Sequence, residues 1–175
     1  LVDANVGCTN LRSIFSDSYL LQTTMKCACI LDGDQTPDLN KYIITLPGGD
    51  SPEKVIMRYA QMIYDNDSPF WTNPIILELN YGKAHFRDSV KPDIDDITTQ
   101  LHTIQDERHS IHGIERELRK KVFLKHERFF ELLFKQWVLD EENADSVHKF
   151  YKNLNIIYKK VAEFHGINPQ LWTVQ

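Results

Sequence analysis

Residues 29–35 read Cys29-Ile30-Leu31-Asp32-Gly33-Asp34-Gln35, and the way this stretch changes character decides the fold. An apolar run from Lys26 to Leu31 stops abruptly at a carboxylate, as a buried strand does on reaching solvent. Asp32 and Asp34 stand at i and i+2, so an extended backbone points them to the same side, and Gly33 between them lets the chain turn without a side-chain clash. Two carboxylates this close raise each other's pKa, and a hard divalent cation such as Mg²⁺ or Mn²⁺ removes the repulsion. An ion held this way activates water and stabilises the charge that develops in a phosphodiester displacement. A solvated Asp-Gly turn carries the same residues, so the neighbours must decide between the two.

Working outward, Tyr42-Ile43-Ile44-Thr45-Leu46 is a second, β-branched run, stopped by Pro47-Gly48-Gly49. Ser51-Pro52-Glu53 then supplies an N-cap with proline at the first helical position, and Val55, Ile56, Tyr59, Met62 and Ile63 form an apolar face behind it. Both runs read as central strands of a buried sheet, and strand, loop and helix alternate as in a parallel α/β layer. Towards the N-terminus, Leu1-Val2-Asp3-Ala4 reads as a strand. Leu11, Ile14 and Phe15 share one helical face after it, with Thr9 or Asn10 as cap. The chain opens on that strand without a methionine, which is the expectation for a piece of a longer protein.

The order Leu1-Val2-Asp3-Ala4, then Cys29 to Gln35, then Ile44-Thr45-Leu46-Pro47-Gly48-Gly49-Asp50-Ser51-Pro52-Glu53 resembles a Toprim domain. It is most similar to the C-terminal Toprim region of the overcoming-lysogenization-defect (OLD) ATPases and related antiphage ATPases of Septu and retron systems. The resemblance spans roughly residues 1 to 65. It implies a Mg²⁺- or Mn²⁺-dependent DNA nuclease, a cytoplasmic hydrolase of antiphage defence, with Asp32 and Asp34 as the Asp-x-Asp metal ligands and Glu53 as the acid after Leu-Pro-Gly. Asp3 stands where the family usually has Glu, one methylene longer, and is implied as a third metal ligand and catalytic acid. Gly7 replaces a frequent further Asp. These two departures admit a second reading, a degenerate Toprim scaffold that binds a partner nuclease or mediates dimerisation of the parent ATPase. Gly48-Gly49 lacks the Gly-Lys-Ser/Thr ending of a phosphate-binding loop. Any ATPase domain therefore belongs upstream in the same protein.

Beyond the Toprim-like segment the pattern turns helical. Asn73-Pro74 restarts a helix in which Ile75, Ile76, Leu79 and Phe86 are apolar; Ile75 to Leu79 would also suit an edge strand, but Pro74 favours helix. Lys91-Pro92-Asp93 reads as a boundary, giving a small α/β Toprim-like parallel-sheet domain at 1–91 and an α-helical C-terminal segment at 92–175. In that segment Ile94, Ile97, Leu101 and Ile104 fit a helix packed on a helix, a hairpin resembling a coiled coil being one form of it. One long helix is expected from about Glu115 to Val138 and another from about Ala144 to His165, closed by Gly166. Their aromatic stripes have the spacing that burial requires.

Composition bounds the function classes. A chain of 175 residues, 42% hydrophobic and 26% charged, has the make-up of a globular protein. Nothing approaches the roughly 18–20 uncharged apolar residues of a membrane helix, and no signal sequence opens the chain, so no membrane partner is expected. Cys8, Cys27 and Cys29 are odd in number, which argues against a disulfide framework; Cys27 and Cys29 alternate onto one strand face as small hydrophobes. The net charge of −5 does not advertise nucleic acid, yet Arg116, Arg119, Lys120, Lys121, Lys125, His126 and Arg128 form a basic run after an acidic one. Such a run suits DNA or an acidic partner, although a solvated helix face reads alike. Arg119 and His126 resemble the Arg and His pairing of HEPN ribonucleases, and His109 with His112 has the i, i+3 spacing of metal ligands, but chance yields both often.

Overall fold

Strands β1 (Cys29–Leu31) and β2 (Ile43–Thr45) pair in parallel, with Cys29 opposite Ile43, Ile30 opposite Ile44 and Leu31 opposite Thr45. The computed structural model describes residues 7–22, 27–103 and 111–168. The expected strand at Leu1–Ala4, with Asp3, lies outside the described residues. The chain divides into two compact units, one formed by residues up to Pro52 together with Glu142 onward, the other by Glu53–Glu141.

In the first unit the two strands differ: β2 is buried on both sides, with Ile43 and Ile44 both essentially inaccessible, as a central strand requires, whereas β1 is covered on one side only. Cys29 and Leu31 are buried while Ile30 between them is 37% exposed, so β1 alternates, where the apolar run suggested a strand covered on both sides. Helix α1 (Cys8–Ser16) covers the buried face with Cys8, Leu11 and Phe15, packed on Cys29, Leu31 and Ile43. Ile14, expected on that face, is 48% exposed, and the N-cap is Gly7, without a side-chain bond, in place of Thr9 or Asn10. Cys27 lies ahead of the strand and is exposed, so it does not share a face with Cys29. Helix α2 (Ser18–Gln22) follows α1. The link between the parallel strands, residues 32–42, contains no helix; it folds back on itself through a bridge between Asp38 and Ile43 and through Tyr42 at φ 58°. Helix α9 (Ala144–Phe164) lies against β2. It ends as the sequence requires, with Gly166 at φ 66° and Ile167 N–H donating to Ala162 O at 2.9 Å.

The second unit is helical. Helix α3 (Pro52–Asp65) buries Val55, Ile56, Met57, Tyr59, Ala60 and Ile63. A 3₁₀ turn at Pro69–Thr72 delivers Phe70 and Trp71 to the core, and the Trp71 indole N–H donates to Ile63 O at 2.9 Å. Helix α4 (Pro74–Glu78) confirms the helical reading of the Ile75–Leu79 run: Asn73 Oδ1 accepts from Ile75 N–H at 3.0 Å, and Pro74 needs no partner. Only Ile76 of that helix is buried.

From Lys83 the chain is helical without interruption, as α5 (Lys83–His85), a π-helical stretch at Phe86–Val90, and α6 (Lys91–Thr103). Lys91-Pro92-Asp93 therefore lies inside a helical run. The widened turn falls where the Pro92 ring would otherwise meet the carbonyl one turn back, so the π geometry absorbs the proline. Helix α7 (Ile111–Lys125) packs on α6, and α8 (Glu127–Leu139) follows it. The single helix expected over 115–138 is broken at His126, whose φ of −118° and ψ of 28° are not helical. The core is aromatic: Phe86 and Phe129 are essentially inaccessible and lie 6.0 Å apart, with Trp71 stacked 6.3 Å from Phe129. Among the described residues no helix is long and apolar enough to cross a membrane.

Candidate functional site

The acidic turn begins where β1 ends. Leu46 N–H donates to Leu31 O at 2.8 Å, the last rung between the strands, so Asp32 and Pro47 leave the sheet together at its carboxyl edge. In parallel sheets that edge is where ligands are received, because the loops there diverge from a fixed frame. Gly33 N–H then donates to Asp50 O at 3.1 Å, tying the Asp32-Gly33-Asp34 turn to the Leu46–Asp50 loop.

The reason for glycine here differs from the one its position suggested. Gly33 is absent from the residues with positive φ; a β-carbon at this position would lie 2.7 Å from Asp50 O, 2.9 Å from Asp50 N and 2.9 Å from Leu46 O. Contact with three backbone atoms, none of which can rotate away, requires a bare α-carbon. The partner loop carries its own glycines at Gly48 (φ 100°) and Gly49 (φ 73°), conformations that side chains disfavour. Gly48 N–H donates to Ser146 Oγ on α9 at 2.8 Å, and Asp50 Oδ1 accepts from Ser51 N–H at 3.0 Å.

Asp32 is half-buried and its carbonyl accepts from Gln35 N–H at 3.1 Å; Asp34 is exposed, and its Oδ1 accepts from the Gln35 side-chain amide at 3.0 Å. From α1, the Arg12 guanidinium donates to Thr36 O, which steadies the far side of the turn. Lys160 of α9 donates to Leu39 O at 3.1 Å, a third hold on the link. Sequence reading missed Arg12 and Lys160, since nothing in a pattern of single charges marks a carbonyl partner far along the chain. Below the turn, burial pushes the Cys29 thiol above its ordinary pKa, against a smaller opposing pull from Arg12. Cys29 is therefore a protonated core group.

The remaining site residues are placed as follows. Glu53 sits in the first turn of α3, in the other compact unit. Asp3 lies outside the described residues, as does His109, while His112 is exposed on α7. Among the described residues, no three or more His, Cys, Asp or Glu side chains are gathered as a metal cage. The turn offers two carboxylates, that of half-buried Asp32 and that of exposed Asp34. Such a donor set fits Mg²⁺, which takes one or two protein carboxylates and keeps water or substrate oxygens in its other positions.

The basic run is answered within its own unit. Arg119 pairs with Glu115, Lys120 with Glu117 at 3.7 Å, Lys125 with Asp93 at 2.7 Å and Arg128 with Glu131 at 2.9 Å. These ion pairs suit solvated helix faces. Arg119 faces its own helix through Glu115, and His126 contacts Asp93, so the two are engaged by different carboxylates.

No family model, no curated protein and no solved structure matches this chain.

Proposed function

We propose that this chain is the Toprim-like part of an OLD-like antiphage ATPase and that it cleaves DNA with Mg²⁺ or Mn²⁺ held by Asp32 and Asp34. One observation carries the reading. The segments that resemble the family, Asp32-Gly33-Asp34 and Leu46-Pro47-Gly48-Gly49, leave adjacent parallel strands at the same edge and are joined there through Gly33 and Asp50. The parts assigned to Asp3 and Glu53 rest on the resemblance alone. When bound, the ion supplies Lewis-acid stabilisation of the charge that builds on a phosphodiester during displacement. The chain supplies a backbone held at Gly33 by Asp50, between the two aspartates.

The test uses the purified parent protein, supercoiled plasmid and Mn²⁺. Nicking is expected, and it should disappear in the double variant Asp32→Ala with Asp34→Ala. Nicking that survives the double substitution removes the proposal.

A second reading, a scaffold that docks a partner nuclease or pairs two copies of the parent ATPase, is favoured by the aromatic surface of α9. Tyr151 and Tyr158, seven residues apart on one face of the helix, are 56% and 53% exposed. Calorimetry separates the two: Mn²⁺ binding that is lost in Asp32→Ala supports the nuclease, and absence of binding to the intact chain supports the scaffold.

A further inference from the structure

The helical unit contains a half-buried imidazole with a buried ring nitrogen, a placement that has a consequence for acid. His85 closes α5 at the start of the π-helical stretch, half-buried, with its ring 5.1 Å from Tyr81, 6.0 Å from Phe129 and 6.4 Å from His126. Its Nε2 is buried and has no hydrogen-bond partner among the described residues. An imidazole in that setting is tolerated when neutral, with the lone pair on Nε2. Adding a proton there creates a buried cation whose N–H meets no acceptor.

The surroundings offer no relief. Tyr81 precedes α5, His126 comes from the corner between α7 and α8, and Phe129 belongs to α8. On the same helical run Lys83 turns to Asp67 and Arg87 to Asp88. Asp93 is already engaged: His126 Nε2 meets its Oδ2 at 2.5 Å, and Lys125 Nζ lies 2.7 Å from the same oxygen. A charge on His126 also repels one on His85.

We propose that His85 is an acid-released catch: a proton added at Nε2 expels the ring from its contacts with Tyr81 and Phe129 and frees the turn 81–85 from α8. Phe86, fully buried one residue on, anchors the rest of the run, so the release is confined to that turn. Burial, and then the neighbouring His126, hold the His85 pKa below its ordinary 6.5. The folded state thus binds this proton more weakly than the unfolded chain. Stability contributed by the neutral form is complete above pH 6.5 and declines as the pH falls below it.

Hydrogen exchange followed by mass spectrometry on the whole chain, between pH 7 and 5 and corrected for intrinsic rates, reads the release directly. Protection of a peptide covering 79–90 should fall by up to about tenfold per pH unit, the limit for one linked proton, while a peptide from α9 stays constant. His85→Phe, which fills the pocket with a ring that takes no proton, should abolish the change. His126→Gln, which removes the repelling charge, brings the proton affinity of His85 in the folded chain nearer that of the unfolded chain and should shrink the change. Unchanged protection from pH 7 to 5, or a loss that persists in His85→Phe, overturns the proposal. Should His85→Phe fail to fold, imidazole NMR of the unaltered chain decides: titration of His85 at the ordinary histidine pKa, with no change in the amides of 81–85, also overturns it.

Discussion

Replacing Gly33 with alanine adds one methyl group at the point where the acidic turn meets its neighbouring loop. The new carbon would stand 2.7 Å from Asp50 O, and ordinary contact begins at 3.4 Å, so the turn or the Leu46–Asp50 loop must give by about 0.7 Å. All three atoms it meets are backbone, so no rotamer change relieves the contact. Overpacking of this kind costs about 1–3 kcal/mol. Displacement also weakens the Gly33 N–H to Asp50 O bond, about 1 kcal/mol. Since φ at Gly33 is not positive, alanine restricts the unfolded chain without backbone strain and returns about 0.4–1 kcal/mol. The net expectation is a loss of about 2 kcal/mol, confined to the first unit. Hydrogen exchange at the amides of Cys29 and Leu46, which bond across the strand pair, measures it locally. About 2 kcal/mol corresponds to roughly thirtyfold faster exchange under conditions where opening is at equilibrium. Exchange that is unchanged or slower in Gly33→Ala would mean that the turn and loop are not held together as described, and the reason given for glycine would fall.

Two further outcomes follow from the helical unit. Phe129→Ala removes a ring in contact with Trp71, Phe86 and Phe130 and should cost about 3–5 kcal/mol, read as a lowered urea midpoint by tryptophan fluorescence. Partial burial alone would raise the Asp93 carboxyl, but the hydrogen bonds from Lys125 and His126 outweigh it and leave the pKa below the ordinary 3.8. The folded chain therefore releases this proton more readily than the unfolded one, so the Asp93 contribution is present above pH 3.8 and is lost as the pH falls below it. Acid titration of thermal stability should show that loss in the parent chain, and Asp93→Asn should lack it.

What the sequence disclosed depended on whether the cause was local. The end of β1 at Asp32, the Pro47-Gly48-Gly49 stop, Asn73-Pro74 and the Gly166 cap are each readable from local residues and each appears as expected, whereas the need for glycine at 33 lies in the neighbouring loop. The open second face of β1 was not readable: Cys29-Ile30-Leu31 is apolar throughout, and only the packing of Leu11 and Phe15 reveals which face is inside, while β2 is buried on both faces as expected. The break at His126 also escaped, because the apolar pattern runs through it without a glycine or proline. Lys91-Pro92-Asp93 read as a boundary, and a π-helical turn carries the helical run through it. At the acidic turn the carboxylates announced themselves, whereas the holds from Arg12, Asp50 and Lys160 are distant in sequence and polar to carbonyl oxygen, a contact that leaves no periodic trace.

The nuclease and scaffold readings both need the turn in place, and they part company only at its side chains. The backbone of Gly33 is fixed by Asp50 and Leu46 whether or not Asp32 and Asp34 carry charge. Neutralising the carboxylates and crowding the glycine are therefore different perturbations of one structure. If the turn exists to hold a cation, Asp32→Asn with Asp34→Asn should abolish Mn²⁺ binding while leaving the exchange of Cys29 and Leu46 unchanged, since the backbone hold at Gly33 stays in place. Gly33→Ala should weaken both binding and protection. If the turn is a scaffold element, the charge-neutral pair should alter neither Mn²⁺ uptake nor partner capture, while Gly33→Ala should reduce partner capture in step with the loss of protection. The glycine reports on the frame and the aspartates report on its use.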